Sequence, residues 1–240
     1  MQKFYFLFAT ISAILVNTLA VTLPIGGLTT KDISDNIYPT LITPAGYVFS
    51  IWSVIYVGLL VIAIAILNKK ITISQRTTNL YILASLCNVS WIVAWHNLIP
   101  VVPVILLFSL LICNYLIVKN LTGGQKHFYL VYYAWTVLAS LINAVVFFQY
   151  ELKLPNFGIP AEYISSSLLI IGFVVLLLSN LKFNSITPIA VGLWAFYGIY
   201  LGQPNQTIKT TAIILVIFCT IEIITRLLII NKVIKRPSWY

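Results

Sequence analysis

Residues 47–67 read Y-V-F-S-I-W-S-V-I-Y-V-G-L-L-V-I-A-I-A-I-L, an apolar run without a single charge. The hydrocarbon core of a bilayer is about 30 Å thick and takes about 20 apolar residues to cross as a helix. The run is continuous, whereas the strands of a closed barrel alternate apolar and polar residues. Working outward, similar runs cover 4–23, 78–95, 101–118, 128–149, 163–181, 186–201 and 208–230. The expected fold class is therefore an all-α membrane protein, a bundle of about eight transmembrane helices. The third and seventh runs are the least apolar. Asn79, Ser85, Asn88 and Ser90 dilute the third, and Thr187, Pro188, Gly192 and Gly198 loosen the seventh, so six or seven spans stay open as alternatives.

Composition points the same way, because 60% of the residues are hydrophobic and 8% are charged, which excludes an ordinary soluble domain. The net charge of +9 suits a membrane topology better than a nucleic-acid partner. With eight spans, ten cations share one side: Lys3, Lys69, Lys70, Arg76, Lys119, Lys126, Lys182, Lys232, Lys235 and Arg236. The other side keeps Lys31, Lys153 and Lys209, and Arg226 lies inside the last run. Cytoplasmic loops carry the excess of Lys and Arg, so both termini are expected in the cytoplasm, in a bacterial plasma membrane. The first run also resembles a signal peptide, with Thr18-Leu19-Ala20 as its cleavage site, but it is long enough to span and holds Asn17. Cys87, Cys113 and Cys219 show no metal or redox spacing, and no metal site is expected.

One connection is too long for a simple turn: residues 24–46, with Gly26, Gly27, Lys31, Asp32, Asp35, Pro39 and Pro44. Loops of that length are either functional or plain linkers. Beneath it, in the outer half of the bundle, lie Asn17, Trp52, Tyr56, Asn88, Trp91, Trp95, His96 and Asn143, with Trp135 nearer the middle. An interfacial aromatic belt is an adequate reading for Trp95 and Trp52. It does not serve for asparagines, since an unpaired amide in hydrocarbon is costly. Helix-to-helix pairing and a pocket with aromatic walls and polar anchors both account for Asn17, Asn88 and Asn143. Trp135, Ala139 and Asn143 stand four apart on one helical face, with room at the alanine for a flat ligand.

Three motifs carry a resemblance. Residues 44–58, P-A-G-Y-V-F-S-I-W-S-V-I-Y-V-G, resemble the P-P-G-W-V-F-x-P-x-W-x-x-L-Y pattern of the TspO/MBR family, the tryptophan-rich sensory and translocator proteins. L-C-N-V-S-W at 86–91 is similar to the family's L-x-N-x-x-W, and Y-A-W-T-V-L-A-S-L-I-N at 133–143 to its W-x-x-x-A-x-x-x-N. The chain departs from the pattern where the Phe49-to-Trp52 interval is one residue short and lacks the family's proline, and where Val131-Tyr132 replace P-Y. The resemblance covers roughly the first 150 residues. It implies a five-helix domain at 1–150, lidded by 24–46, and a three-helix extension at 151–240. It also implies a pocket of Trp52, Asn88, Trp91, Trp135, Ala139 and Asn143, to which depth adds Asn17. The ligands implied are porphyrins, sterols or benzodiazepine- and isoquinoline-type compounds. Porphyrin or haem would be ligand, with no cofactor required.

The remainder rests on the residues alone. Thr10, Ala13 and Asn17 repeat the spacing of Thr136, Ala139 and Asn143, and Pro44-Ala45-Gly46-Tyr47 is echoed by Pro160-Ala161-Glu162-Tyr163. A parallel 4+4 internal repeat and chance recurrence of small residues both explain this. Glu222 and Arg226 form an expected intramembrane pair in the favourable order. Arg226 is near enough to the helix end to snorkel to the interface, and an ion-coupling role for the pair is the alternative. The leading expectation is a receptor, sensor or carrier for a hydrophobic, planar ligand, with no catalytic residue. The alternatives are a secondary transporter and, as the family resemblance implies, a porphyrin-modifying enzyme working through photochemistry at Trp135. The expected partners are the lipid bilayer, the small-molecule ligand and a second copy of the chain in a homodimer.

Overall fold

The computed structural model describes residues 2–23 and 26–231, apart from the side chain of Asn156. Eight long helices account for most of it: α1 (Gln2–Thr22), α2 (Ile51–Leu67), α3 (Gln75–His96), α4 (Val101–Asn120), α5 (Gly124–Val146), α6 (Ala161–Phe183), α7 (Thr187–Gly202) and α8 (Gln206–Ile230). A tighter 3-10 turn, Gly46–Ser50, leads into α2, and a wider turn, Phe147–Glu151, prolongs α5. The helices reach past the apolar runs because their ends are set by capping groups. Ser74 accepts from the Thr77 N–H at 3.1 Å and starts α3, and Asn205 caps Ile208 at 3.1 Å and starts α8. Asn184, left-handed at φ 48°, ends α6 so that the chain turns at once into α7, where Pro188 sits in the first turn.

Seven of these helices are long and apolar enough to cross a membrane. The eighth, α7, has 16 residues and is about 24 Å long at 1.5 Å per residue. Of the polar residues that dilute the third run, Ser85 and Asn88 are buried on the inward face of α3, while Asn79 and Ser90 are exposed.

Helices α1, α2, α5, α4 and α3 pack in that order as a closed ring. Helices α6 and α7 lean on the outer side of α5, and α8 packs on both of them. Helix α5 is thus the wall common to the two groups. The contacts α1–α2, α1–α3 and α3–α4 have counterparts in α5–α6, α5–α7 and α7–α8, but the packing of α6 on α7 and α8 has no comparable counterpart between α2 and α3 or α4. The polar partners differ. Asn17 bonds Asn88 of α3 within its own half, whereas Asn143 takes its bond from Trp91, also of α3, in the other half.

Among the described residues, Lys31, Lys153 and Lys209 belong to the end of the bundle where residues 26–46 lie, the lid end, and Lys3, Lys69, Lys70, Arg76, Lys119, Lys126 and Lys182 to the opposite end. Lys232, Lys235 and Arg236 lie outside the described residues.

Arg226 does not snorkel. It is 5% exposed, and its guanidinium donates to Glu222 Oε1 at 3.1 Å, Asn184 Oδ1 at 2.8 Å and the Asn180 carbonyl at 3.2 Å. Asn180 Nδ2 donates to the same Glu222 oxygen at 2.6 Å. A charge in hydrocarbon is held most cheaply by polar groups of a neighbouring helix, and α6 supplies them. Removing the cation by Arg226→Met should destabilise the protein by about 3–5 kcal/mol, the usual cost of breaking a buried pair. Thermal unfolding in detergent measures this, and adding Glu222→Gln to that variant should restore part of the loss.

The connection from 26 to 46 is folded. Thr29 and Asp32 make reciprocal capping bonds around a short helical turn: the Thr29 hydroxyl and N–H donate to Asp32 Oδ2 at 2.7 and 2.8 Å, and the Asp32 N–H donates back at 3.1 Å. Lys31 pairs with Asp35. The Thr29 hydroxyl, with the Thr29 N–H second, holds the Asp32 carboxyl below its ordinary value of 3.8. A depressed pKa contributes stability above that ordinary value and loses it as the pH falls through the lowered one. Amide exchange of residues 29–37, corrected for intrinsic rate, should therefore stay constant through neutral and mildly acid pH and rise only in strong acid. Asp32→Asn should exchange faster at neutral pH and lose that acid step.

Candidate functional site

The lid is anchored by aromatic residues at the ends of α3 and α5. Trp95 Nε1 donates to the Thr30 carbonyl at 3.2 Å, Tyr150 donates to the Pro39 carbonyl at 2.8 Å and Tyr38 donates to the Leu98 carbonyl at 3.0 Å. Tyr38 packs against both Trp95 and Tyr150, with ring centroids 5.6 and 5.2 Å apart. Ile33, fully buried, fills the space between Trp95 and Val146. Trp95, 4% exposed, is therefore a lid anchor and no member of an interfacial belt. Burial also raises the Tyr38 phenol above its ordinary pKa.

Beneath Thr30 and Lys31 lies a cavity of about 380 Å³ between the lid ends of α1 and α2. Asn17, Thr18, Val21 and Thr22 form its α1 wall; Phe49, Trp52, Ser53 and Tyr56 form the opposite wall; Trp91 and Ile92 of α3 close the back. Thr18, Val21, Thr22 and Ser53 are exposed at its mouth, so the cavity opens sideways between two apolar helices. A smaller hollow of about 50 Å³ shares Thr30, Phe49, Trp52 and Trp91 with it and reaches Trp135, Ala139 and Asn143 on α5.

Trp52 is the hub of this space. Its ring stacks on Tyr56 at 5.6 Å and on Trp91 at 6.2 Å, and meets Trp135 edge-on at 6.1 Å. Phe49 meets Trp135 edge-on at 6.2 Å. Such offset and edge contacts are the preferred aromatic geometries, so the indoles pack as a cluster with flat faces beside the cavity. Trp52 belongs to this cluster and not to a surface belt.

Of the seven residues expected to form a pocket, six line one or both hollows: Asn17, Trp52, Trp91, Trp135, Ala139 and Asn143. Asn88 does not reach the cavity. It is fully buried behind it, where its Oδ1 accepts from Asn17 Nδ2 at 2.7 Å. On the other flank Trp91 Nε1 donates to Asn143 Oδ1 at 3.3 Å, and each wall asparagine also donates to the carbonyl four residues earlier. The asparagines therefore pair helices, as one expectation had it, while Asn17 and Asn143 also face the hollows. Some polar groups at the hollows have no protein partner: the Tyr56 and Thr30 hydroxyls at the cavity and Trp135 Nε1 at the smaller hollow, with Asn88 Nδ2 buried behind the wall. A buried unpaired donor costs about 1–3 kcal/mol.

Phe49 and Tyr56 were not among the expected residues, although their spacing of minus three and plus four from Trp52 places all three together once that segment is helical. A second polar group, toward the end opposite the lid, also escaped the sequence reading. Asn114 bonds Thr136 at 3.0 Å and Tyr129 at 2.9 Å, and Thr10 and Tyr81 share a 2.7 Å bond. The polar residues thus occupy both halves of the bundle. Asn114 in the middle of an apolar run was the available signal.

No curated protein and no solved structure matches this chain. The model of the family described as TSPO-like protein matches residues 3–225, so the match crosses residue 150 and takes in α6, α7 and most of α8. The match runs over nearly the whole chain and agrees with the helical membrane architecture: this protein belongs to the TSPO-like family.

Proposed function

We propose that the protein is a membrane receptor or carrier for a hydrophobic, flat ligand of porphyrin or sterol type, bound under the lid against Trp52. The observation that carries this reading is the 380 Å³ cavity bordered by buried polar groups without partners. Its volume falls within the roughly 300–1,000 Å³ usual for small-molecule sites, and its make-up of apolar walls with few polar anchors is equally usual. A ligand that supplied acceptors to Trp135 Nε1 and Tyr56 would relieve their desolvation. Lys31, paired with Asp35, is the charged residue in the cavity lining, and an acidic edge such as a porphyrin's would have to share it with that carboxylate. The sideways mouth suits a compound dissolved in lipid.

The distribution of cations supports placing the lid on the outer face and both termini in the cytoplasm. A bacterial plasma membrane is the setting that fits these features. Binding and release need no catalytic group, and we assign none.

Tryptophan fluorescence in detergent, titrated with protoporphyrin IX, tests the reading. Saturable quenching is expected in the parent. Trp135→Phe should weaken binding by about tenfold, the worth of one lost hydrogen bond with part of an aromatic contact. Asn88→Ala should weaken it less, since it acts through Asn17. Absence of saturable quenching, or one affinity for all three proteins, would sink the proposal.

A transporter coupled through Glu222 is the other reading with a residue to name. The hold of Asn180 and Arg226 on that carboxylate favours a structural role. Glu222→Gln should accordingly leave porphyrin affinity unchanged, and loss of ligand flux into vesicles in that variant would favour transport.

A further inference from the structure

Helix α7 ends well short of the roughly 30 Å hydrocarbon thickness, and residues 40–48 lie across its lid end. We propose that α7 is a positioning element for the ligand cavity: through Gln203, Gly198 and Gly202 it fixes the segment that delivers Phe49 and Trp52. The inference concerns the placement of that wall, and its affinity consequence rests on the ligand-binding reading above.

The contacts converge on one short stretch. Gln203 Nε2 donates to the carbonyls of Thr43 at 2.6 Å and Thr40 at 3.2 Å. The Ala45 N–H donates to the Gly198 carbonyl at 3.0 Å, and Trp194 Nε1 donates to the Val48 carbonyl at 3.2 Å. Tyr47 adds an edge-on contact with Trp194, ring centroids 5.0 Å apart. Three of these bonds satisfy carbonyls of the segment, and the Ala45 bond satisfies one of α7, so backbone groups at membrane depth are paired without water.

The glycines let the two backbones meet. A Cβ on Gly202 would lie 2.7 Å from the Ala45 nitrogen and 3.1 Å from its Cα. Backbone cannot swing aside as a side-chain tip can, so the segment itself would have to move. A Cβ on Gly198 would run into the Val48 side chain, whereas one on Gly192, elsewhere on α7, would meet the Leu176 side chain at 2.9 Å.

From Ala45 the chain enters the 3-10 turn Gly46–Ser50 and then α2 without a break. Phe49 lies inside that turn and Trp52 in the first turn of α2, and both line the two hollows. A displacement imposed at residue 45 is therefore carried to the cavity wall through continuous helical backbone. The other arm of the lid is held independently, by Trp95, Leu98 and Tyr150.

The test uses the full chain in lipid nanodiscs, comparing the parent with Gln203→Leu, Gly202→Ala, the control Gly192→Ala and the donor-restoring Gln203→Lys. Amide exchange is read first, without ligand. Residues 44–50 should exchange about tenfold faster in Gln203→Leu and Gly202→Ala, as for the loss of one to two hydrogen bonds, with 29–37 unchanged and Gly192→Ala like the parent. Protoporphyrin IX affinity, read by tryptophan quenching, should fall by about tenfold in the same two variants on the same grounds and recover in Gln203→Lys. Unchanged exchange at 44–50, or equal loss of affinity in Gly192→Ala, would overturn the proposal. A parent that shows no quenching would refute the ligand reading instead, and the exchange arm would then decide the positioning role alone.

Discussion

Helix α5 has no face left for lipid over most of its length: 83% of its spanning window is buried. Within a bilayer the hydrophobic effect does not drive helices together, so packing and polar ties must hold such a helix in place. Hydrogen bonds tie α5 to three other helices. Toward α4, Ser140 donates to the Leu107 carbonyl at 3.3 Å, and Thr136 accepts from Asn114. Toward α6, Tyr133 and Ser179 share a 2.9 Å bond. Toward α3, Asn143 accepts from Trp91. The five-helix ring and the α6–α8 group are fixed to each other because both are fixed to this helix.

The surroundings of the lidded cavity follow from the same demand for polar pairing. Asn17 with Asn88 and Trp91 with Asn143 tie α3 to α1 on one flank and to α5 on the other. Those bonds use the amide oxygens of Asn88 and Asn143, and beside them the Tyr56 hydroxyl and Trp135 Nε1, which border the hollows, have no protein partner. A region built only to hold helices together would gain by satisfying them, at about 1–3 kcal/mol each. Their persistence beside an aromatic hollow is the feature that helix pairing does not explain.

Much of this was legible in the sequence, and the failures share a cause. Apolar runs located all eight helices to within a few residues, because bilayer thickness is a strong constraint on length. The four-residue spacing of Trp135, Ala139 and Asn143 placed them on one face, and the structure puts all three around one hollow. What was not legible depends on a partner from elsewhere in the chain. Trp95 at a helix end has the sequence of a belt residue until the lid folds onto it. Arg226 has the sequence of a snorkelling residue until Asn180 and Asn184 approach from α6. Asn88 looked like a pocket residue because it shares a run with Trp91, but it lies behind Asn17 and out of reach of the cavity.

The lid brings the two helix groups to bear on one site. Its first arm rests on α3 and α5, its second on α7, and the family match runs unbroken through both groups. A lid pinned at both arms is poorly placed to swing open as a flap, since that would break the bonds of Trp95, Tyr38, Tyr150 and Gln203 together. Parting α1 from α2 at Thr18, Val21 and Ser53 breaks no hydrogen bond between those two residue sets and exposes apolar surface to lipid, where such exposure costs little. Opening between α1 and α2 is therefore the lower-cost route into the cavity, and it leaves the lid in place.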